Sequence, residues 1–584
     1  MTKQLTAKVV EHNLSDRFDK IIESLMTALL IFMPLALGVV YLWSELGVIA
    51  LAGIMALCFS LKFTLAQSCK LIWTRAYVPV LLFLLLVVGQ LIPLPASVVQ
   101  TLTPETYQVK MSLSHKSQDN ELVSPVDSAG ILMAPNSRET MSISLDPDAT
   151  QHDLRLILSI SVVFLVIINV YRKPEQILRL LKVIMIIGFG VGLLTLVQHI
   201  KATDKMYWIF PTPRDRVFSG PFLDRHYFSQ FMNLSIGAAL GLMLVRVHEV
   251  FKGKDITLAN VVDHLGDVRM RLVWLCLVMI ILSAVLIFLS FNHGGMISML
   301  IAGSVTALVI AWKRGIQGHG WIITLLMIGS LVGIFYIGYL AVFERLEPLH
   351  KMEVVEPENQ PITEDILAWT KFPLTGTGLG TNWVTDTTFD QSDVAAMVGV
   401  TENEYFQILE ETGIIGLVLI VIFGVIIWQA YIKDLRFIGK KEGNLPIRSA
   451  AFGLGYGLLA IMIHSLFNLG QHLPANAVLT AVTCGLLVGL VQLPKRTPTG
   501  VCLKSTNQPT KILPLRMITV LGWLGLWLWA ISGAFDALSK QSRGRVDNYP
   551  VENQPENNMS AGTNGSMSQP TDRALMDMLN IDRD

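Results

Sequence analysis

The feature that most constrains this chain is its series of long apolar runs, each close to the length that crosses a bilayer. A helix needs about 20 mostly apolar residues to span the hydrocarbon core. Runs of that kind lie at 21–43, 46–66, 77–94, 154–170, 177–198, 227–245, 272–291, 296–312, 321–342, 414–432, 449–466, 474–493 and 517–535. Hydrocarbon offers no partner to unpaired backbone groups, so such runs must close their own hydrogen bonds as helices. Composition agrees: 52% of residues are hydrophobic and 15% charged, against roughly 25% charged in soluble domains. The expected fold is an all-α integral membrane protein, a polytopic bundle of about 12–13 transmembrane helices with two large extracytoplasmic loops.

Lys/Arg asymmetry sets the expected orientation. With the N-terminus inside, the N-tail and the connections on its side hold 28 of the 45 Lys and Arg. This divides the chain into a cytoplasmic tail (1–20), a transmembrane domain (21–535), outer loops at 95–153 and 343–413, and a mostly disordered outer tail (536–584). Asn120 and Asp386 then lie outside, and Lys254 and Lys441 inside. The polar N-terminus has no short apolar segment with a small-residue cleavage site, so the first span is expected to be an uncleaved anchor. Its side is the cytoplasm, and an odd number of spans places the C-terminus outside. Lys+Arg and Asp+Glu cancel at 45 each, so charge gives no sign of a nucleic-acid partner. On this topology none of Cys58, Cys69, Cys276, Cys484 and Cys502 lies in an outer loop, so no disulfide is expected. No Cys/His spacing suggests a metal site, and no broken-helix repeat suggests a transporter.

Four segments on the expected outer face could carry chemistry. Arg214, Arg216 and Arg225 crowd the first. Guanidinium forks bind phosphate bidentately, and snorkelling toward lipid headgroups is the plainer reading. The second is the turn Asn292–Gly295, which exposes His293; a solvated turn is the plainer reading there. The third is Thr401–Gly413, with Glu402, Glu404, Glu410 and Glu411 on an amphipathic stretch beside Asn403 and Tyr405. One of those carboxylates could serve as a general base, or all could be a solvated helix face. The fourth, Ile463–Asn476, sets His464, Asn468, His472 and Asn476 at the membrane edge. Polar groups there are costly unless bonded or useful. The glycine-punctuated Lys371–Gly380 reads as a tight turn, since its GTGLG has no strand–turn–helix setting for a phosphate loop.

Taken in order, these segments resemble the O-antigen ligase and Wzy-type polysaccharide polymerase superfamily over most of residues 80–495. The marks are Ser144–Thr150, Ser219–Phe222, Gly294-Gly295, Phe372–Gly380, Glu402–Gly416, His464–Asn468 and Pro474–Asn476. The resemblance implies transfer of glycans from an undecaprenyl-pyrophosphate carrier at the outer face of a bacterial cytoplasmic membrane, with no cofactor and no metal. It implies chain-length regulator and flippase proteins as partners, besides membrane lipid. Glu402, Glu404 and His293 become the catalytic candidates. Arg214, Arg216 and Arg225 become the pyrophosphate ligands, with His226, Asn403, Tyr405, His464 and Asn468 in support. Glu402 stands where the family often has histidine. His293 replaces an arginine, His226 an asparagine and Asn468 an aspartate, and an arginine common near position 363 is missing. These departures argue against an ordinary lipid A–core ligase and favour a divergent polymerase of exopolysaccharide, capsule or O-antigen. The other expectations are an O-antigen ligase, a membrane transporter, or a non-catalytic subunit of a polysaccharide export system.

Overall fold

A computed structural model describes residues 2–65, 71–121, 140–200, 205–208, 210–211, 219–251, 268–312, 369–382, 403–438, 445–493 and 513–546. Its helices are α1 (Thr2–Leu35), α2 (Leu42–Leu65), α3 (Tyr77–Leu91), α4 (Ala96–Leu102), α5 (Pro104–Glu121), α6 (Pro147–Val170) and α7 (Pro174–Ile200). They continue with α8 (Arg225–Val250), α9 (Val268–Leu289), α10 (His293–Trp312), α11 (Glu404–Phe437), α12 (Ala450–His464), α13 (Pro474–Gln492) and α14 (Leu513–Val546). A 3-10 turn, Pro446–Ser449, leads into α12. Two short antiparallel pairs complete the elements, Leu94–Pro95 with Thr140–Met141 and Lys205–Met206 with Phe210–Pro211.

Every expected span falls on a helix except 321–342, which lies outside the described residues. Several boundaries move, two of them with consequences for the fold. The first span was expected to reach residue 43, but α1 ends at Leu35 because Leu37, Gly38 and Val39 all take positive φ. Residues 536–546, expected as the start of the disordered tail, continue α14. Among the described residues, nine helices are long and apolar enough to cross a membrane. Leu81, Leu85, Val278, Ile281, Leu308 and Val421 point outward with more than half their surface exposed. Large apolar side chains facing out along whole helices suit hydrocarbon, not water. The chain is a multi-pass membrane protein.

The long helices run between two ends of the bundle. One end gathers Leu35, Gln90, Ser144, Phe222, Asn292, Glu404, Glu411 and Leu473, tied by contacts between successive elements. The opposite end is basic. There Lys62 pairs with Asp19, Arg179 with Glu23, Lys173 with Asp16, and Arg448 with Asp434.

The centre is built on close approach of α8 and α12. Gly237 and Gly241 on α8 face Gly453 and Gly457 on α12, and a Cβ at Gly453 would lie 2.1 Å from the Gly241 nitrogen. Small residues four apart let membrane helices approach backbone to backbone, where packing replaces the hydrophobic drive that lipid removes. Above this contact Tyr456 Oη donates to Asn233 Oδ1 at 3.1 Å, and Asn233 Nδ2 reaches Ser298 Oγ at 3.3 Å, so α8, α10 and α12 share one buried hydrogen-bonded chain. Gly453→Ala is expected to cost about 1–3 kcal/mol through overpacking and to lower the thermal midpoint in detergent. Gly489→Ala on α13, where a Cβ meets nothing within 4 Å, is expected to be neutral or slightly stabilising. Equal midpoints for the two variants would contradict this packing.

Candidate functional site

The site begins at the first turn of α11. Asn403 is its N-cap, and its Oδ1 accepts from the nitrogens of Tyr405 at 3.0 Å and Phe406 at 3.4 Å. An asparagine in this role satisfies amides that have no partner inside the helix. The same side chain donates to the Leu466 carbonyl at 3.1 Å, the Glu404 nitrogen donates to the Ser465 carbonyl at 3.1 Å, and Tyr405 Oη donates to the Met462 carbonyl at 2.9 Å. The start of α11 is thus fastened to the turn between α12 and α13.

That fastening sets Glu404 against the turn. Glu404 is buried, its Oε2 accepts from the Gln471 nitrogen at 3.1 Å, and its Oε1 lies 2.8 Å from His472 Nδ1. Seven residues on, two helical turns along the same face, Glu411 is fully buried. Its Oε1 accepts from Gln407 Nε2 at 2.9 Å, and its Oε2 stands 3.9 Å from His472 Nε2, too far for a hydrogen bond. His472 therefore sits between two carboxylates while its side chain keeps 31% of its surface exposed. Burial opposes the imidazolium, but Glu404 and Glu411 outweigh burial and hold the His472 pKa well above its ordinary value. The hydrogen bond to Glu404 places a proton on Nδ1, which leaves Nε2 as the nitrogen that exchanges protons.

A break in α11 fixes this arrangement. Gly413 has φ 64° and ψ −171°, so the helix is interrupted there. In an unbroken helix the nitrogens of Ile414 and Ile415 would bond to the carbonyls of Glu410 and Glu411. Instead they donate to Pro373 and Leu374, and the two carbonyls accept from Thr377 and Gly378. The glycine-rich segment is thus a splint that takes up the backbone groups the break exposes. Gly376, Gly378 and Gly380 have φ of 70°, 118° and 75°. A Cβ at Gly376 would lie 2.3 Å from the Glu411 carbonyl carbon, which explains glycine at that position. Gln90, fully buried at the end of α3, clamps the splint by donating to the Thr375 carbonyl at 2.7 Å and the Glu411 carbonyl at 2.9 Å.

A second chain of polar groups runs beside the first. His226 Nδ1 lies 3.1 Å from Asn292 Oδ1, and Asn292 Nδ2 lies 3.3 Å from His464 Nε2. Asn468 packs against this chain, and its Oδ1 would lie 3.0 Å from a Cβ on Gly294. Gln230, one turn after His226, accepts from Gln471 Nε2 at 3.0 Å, so α8 also touches the turn that carries His472. Asn476 closes the turn by donating to the carbonyls of Tyr227 and Gly470, each at 3.2 Å.

Of the residues singled out in the sequence, Glu404, Asn403, Tyr405, His226, His464 and Asn468 come together here. His293 is exposed at the first position of α10, next to Asn292. Arg225 is the first residue of α8, and among the described residues its guanidinium makes no ion pair. Glu402, Arg214 and Arg216 lie outside the described residues. Among those residues no group of three or more His, Cys, Asp or Glu is arranged to hold a metal ion.

No family model and no curated protein matches the chain. The geometry therefore carries the chemical reading. Both oxygens of Glu404 are engaged, so in this arrangement it orients and charges His472 and is not itself open to an acceptor. The sequence flagged His472 only as a costly polar residue at the membrane edge; that the fold sets it against Glu404, 68 positions earlier in the chain, could not be seen. Glu411 was visible as one of four carboxylates, and the heptad spacing from Glu404 to Glu411 was the signal that they share a face. Gln90 and Gln230 carried a weaker signal, an amide inside an apolar run.

Proposed function

We propose that this chain is a divergent member of the O-antigen ligase and Wzy-type polymerase superfamily. It transfers a glycan from an undecaprenyl-pyrophosphate carrier to an acceptor hydroxyl, the acceptor being another lipid-linked repeat. In this reading the end that holds His472 faces outward from the cytoplasmic membrane and the basic end faces the cytoplasm, as the Lys/Arg asymmetry expects. The observation that carries the proposal is His472 held between Glu404 and Glu411 at the end of the bundle, with the motif residue Asn403 fastening the start of α11 to the same turn and the chain of His226, Asn292 and His464 beside it.

The chemistry follows the carboxylate–imidazole pattern of acyl transfer, moved to a sugar. The acceptor hydroxyl gives its proton to His472 Nε2 as its oxygen bonds to the anomeric carbon. The bond from that carbon to the pyrophosphate oxygen breaks, and the carrier pyrophosphate leaves. Glu404 and Glu411 stabilise the imidazolium that forms. Arg225, together with Arg214 and Arg216, neutralises the charge growing on the leaving group. Two lipid-anchored substrates meeting in one membrane plane supply a large part of the proximity effect. Among the described residues buried Glu45, Lys62, Glu404 and Asp434 lie in the first or last turn of their helices and Arg155, Glu410 and Glu411 about two turns in, so none stands at mid-span, which gives the transporter reading no support.

The test is a pH profile. Only neutral His472 accepts a proton, and its pKa is raised, so the rate of transfer is expected to climb as pH rises through a value well above 6.5. Glu404→Gln removes the nearer carboxylate, so the climb is expected to move to lower pH while the plateau falls. An unshifted profile in Glu404→Gln would remove the pair from the mechanism. The same raised pKa has a stability sign: it contributes stability below the unfolded pKa near 6.5, lost as pH rises through the folded value.

A further inference from the structure

Helices α3, α6, α13 and α11 pack in a closed ring, each touching the next. The ring is hollow. Between Phe83 of α3, Ile160 of α6, Leu419 and Phe423 of α11, and Ala481 of α13 lies a slot of about 280 Å³ whose exposed wall is carbon nearly throughout. Along α13 its lining runs from Ala477 to Cys484, and along α6 from Ile157 to Phe164. Seven residues of helix rise about 10 Å, so the space is elongated parallel to the helices. At one end it reaches Gln471, whose backbone nitrogen binds Glu404.

Protein interiors are close-packed, and voids larger than a water molecule are few. An apolar cavity of roughly 150 Å³ already stays dry and takes up benzene. This slot is larger. Water does not suit it, because a buried water needs two to four polar partners. At this depth the surrounding medium is hydrocarbon, and the slot has the shape of a linear chain.

We propose that the slot binds one acyl chain of a bilayer phospholipid. The chain lies along α13, completes the packing of the four-helix ring, and supports from below the turn that carries Gln471 and His472. The occupant is a bulk lipid because acyl chains are the hydrocarbon that surrounds the bundle at this depth, and the wall that the slot presents is almost wholly apolar. Small residues create the room: Ala477 and Ala481 on α13 and Ser161 on α6 leave volume that larger side chains would fill. This site is independent of the glycan-transfer reading.

The experiment places the full chain in nanodiscs containing a phosphatidylcholine with a diazirine in mid-chain, followed by irradiation and peptide mass spectrometry. Adducts are expected on the slot-facing residues of 477–484 and 419–423, as well as on the outward residues Val278 and Ile281. In Ala481→Phe, which fills the slot, the slot adducts are expected to fall to background while those at Val278 and Ile281 persist and report a folded bundle. If Ala481→Phe does not fold, Ser161→Leu fills the slot from the α6 side and is expected to give the same loss. Slot adducts that persist in a folded filled variant would overturn the proposal. So would a wild-type slot labelled by a diazirine-bearing polyprenyl phosphate and not by the phospholipid, because the space would then belong to an isoprenoid chain.

Discussion

His472→Ala is expected to reduce glycan transfer by roughly a hundred- to ten-thousand-fold, the usual contribution of a positioned general base, while the protein still accumulates in the membrane. The expectation follows from what surrounds the ring. His472 is partly exposed and sits in a turn, so truncating it removes little core packing. The neighbouring bonds that hold the turn, from Asn403 to Leu466 and from Gln471 to Glu404, do not involve its side chain. His464→Ala is the contrasting variant. His464 is fully buried and faces Asn292, so its loss is expected to lower stability along with activity. His472→Gln keeps hydrogen bonding to Glu404 but cannot accept a proton, and it is expected to be as inactive as His472→Ala. Near-normal rates in both His472 variants would assign the base elsewhere.

The largest expected effect on stability lies at the opposite end. Arg448 Nη1 bonds Asp434 Oδ1 at 2.8 Å, both side chains are at most 1% exposed, and the guanidinium lies 4.5 Å from the centroid of the Phe437 ring. Arg448 Nη2 also donates to the Leu493 carbonyl at 3.3 Å, which ties the end of α11 to the end of α13. A buried pair contributes little net stability against well-packed apolar residues, but removing one partner strands the other charge. Arg448→Met is expected to cost about 3–5 kcal/mol and to lower the thermal midpoint in detergent by the widest margin of any variant considered. The double variant Asp434→Leu, Arg448→Met is expected to recover most of that loss. A double variant as unstable as the single would show that the helices depend on the pair itself and not on avoiding a stranded carboxylate.

Much of the fold was legible because apolar run length is a direct consequence of bilayer thickness. The span at 474–493 matches α13 to within a residue, with Pro474 as its local start signal, and the span at 154–170 shares its end with α6, which starts seven residues earlier behind the Asp146 cap. The end of α1 was not legible: Leu37–Val39 turn back under Phe222 and Leu473, a tertiary constraint that apolar character at 36–43 conceals. The paired glycines at 237, 241, 453 and 457 were visible one by one, but nothing local says that they face each other. The site was half legible. Helix-terminal polar residues such as Asn403 and His464 stand out in apolar surroundings because burying them is costly. The turn at 371–380 was legible, but its role as a splint was not, because its partners are backbone groups released by the break at Gly413 and because Gln90, which clamps it, lies hundreds of residues away. The Glu404–His472 contact was illegible for the same reason, being made by a turn and a helix start that only the bundle brings together.

The central claim is that His472 and its two carboxylates carry out transfer from a lipid-pyrophosphate-linked glycan. Its most direct test is reconstitution of the purified chain in liposomes with an undecaprenyl-pyrophosphate-linked oligosaccharide, with products followed by mass spectrometry. The account predicts elongated lipid-linked glycan with release of undecaprenyl pyrophosphate for the native chain, and none above background for His472→Ala at equal protein. No product from the native chain in sealed liposomes of correct orientation, or equal product from His472→Ala, would contradict it.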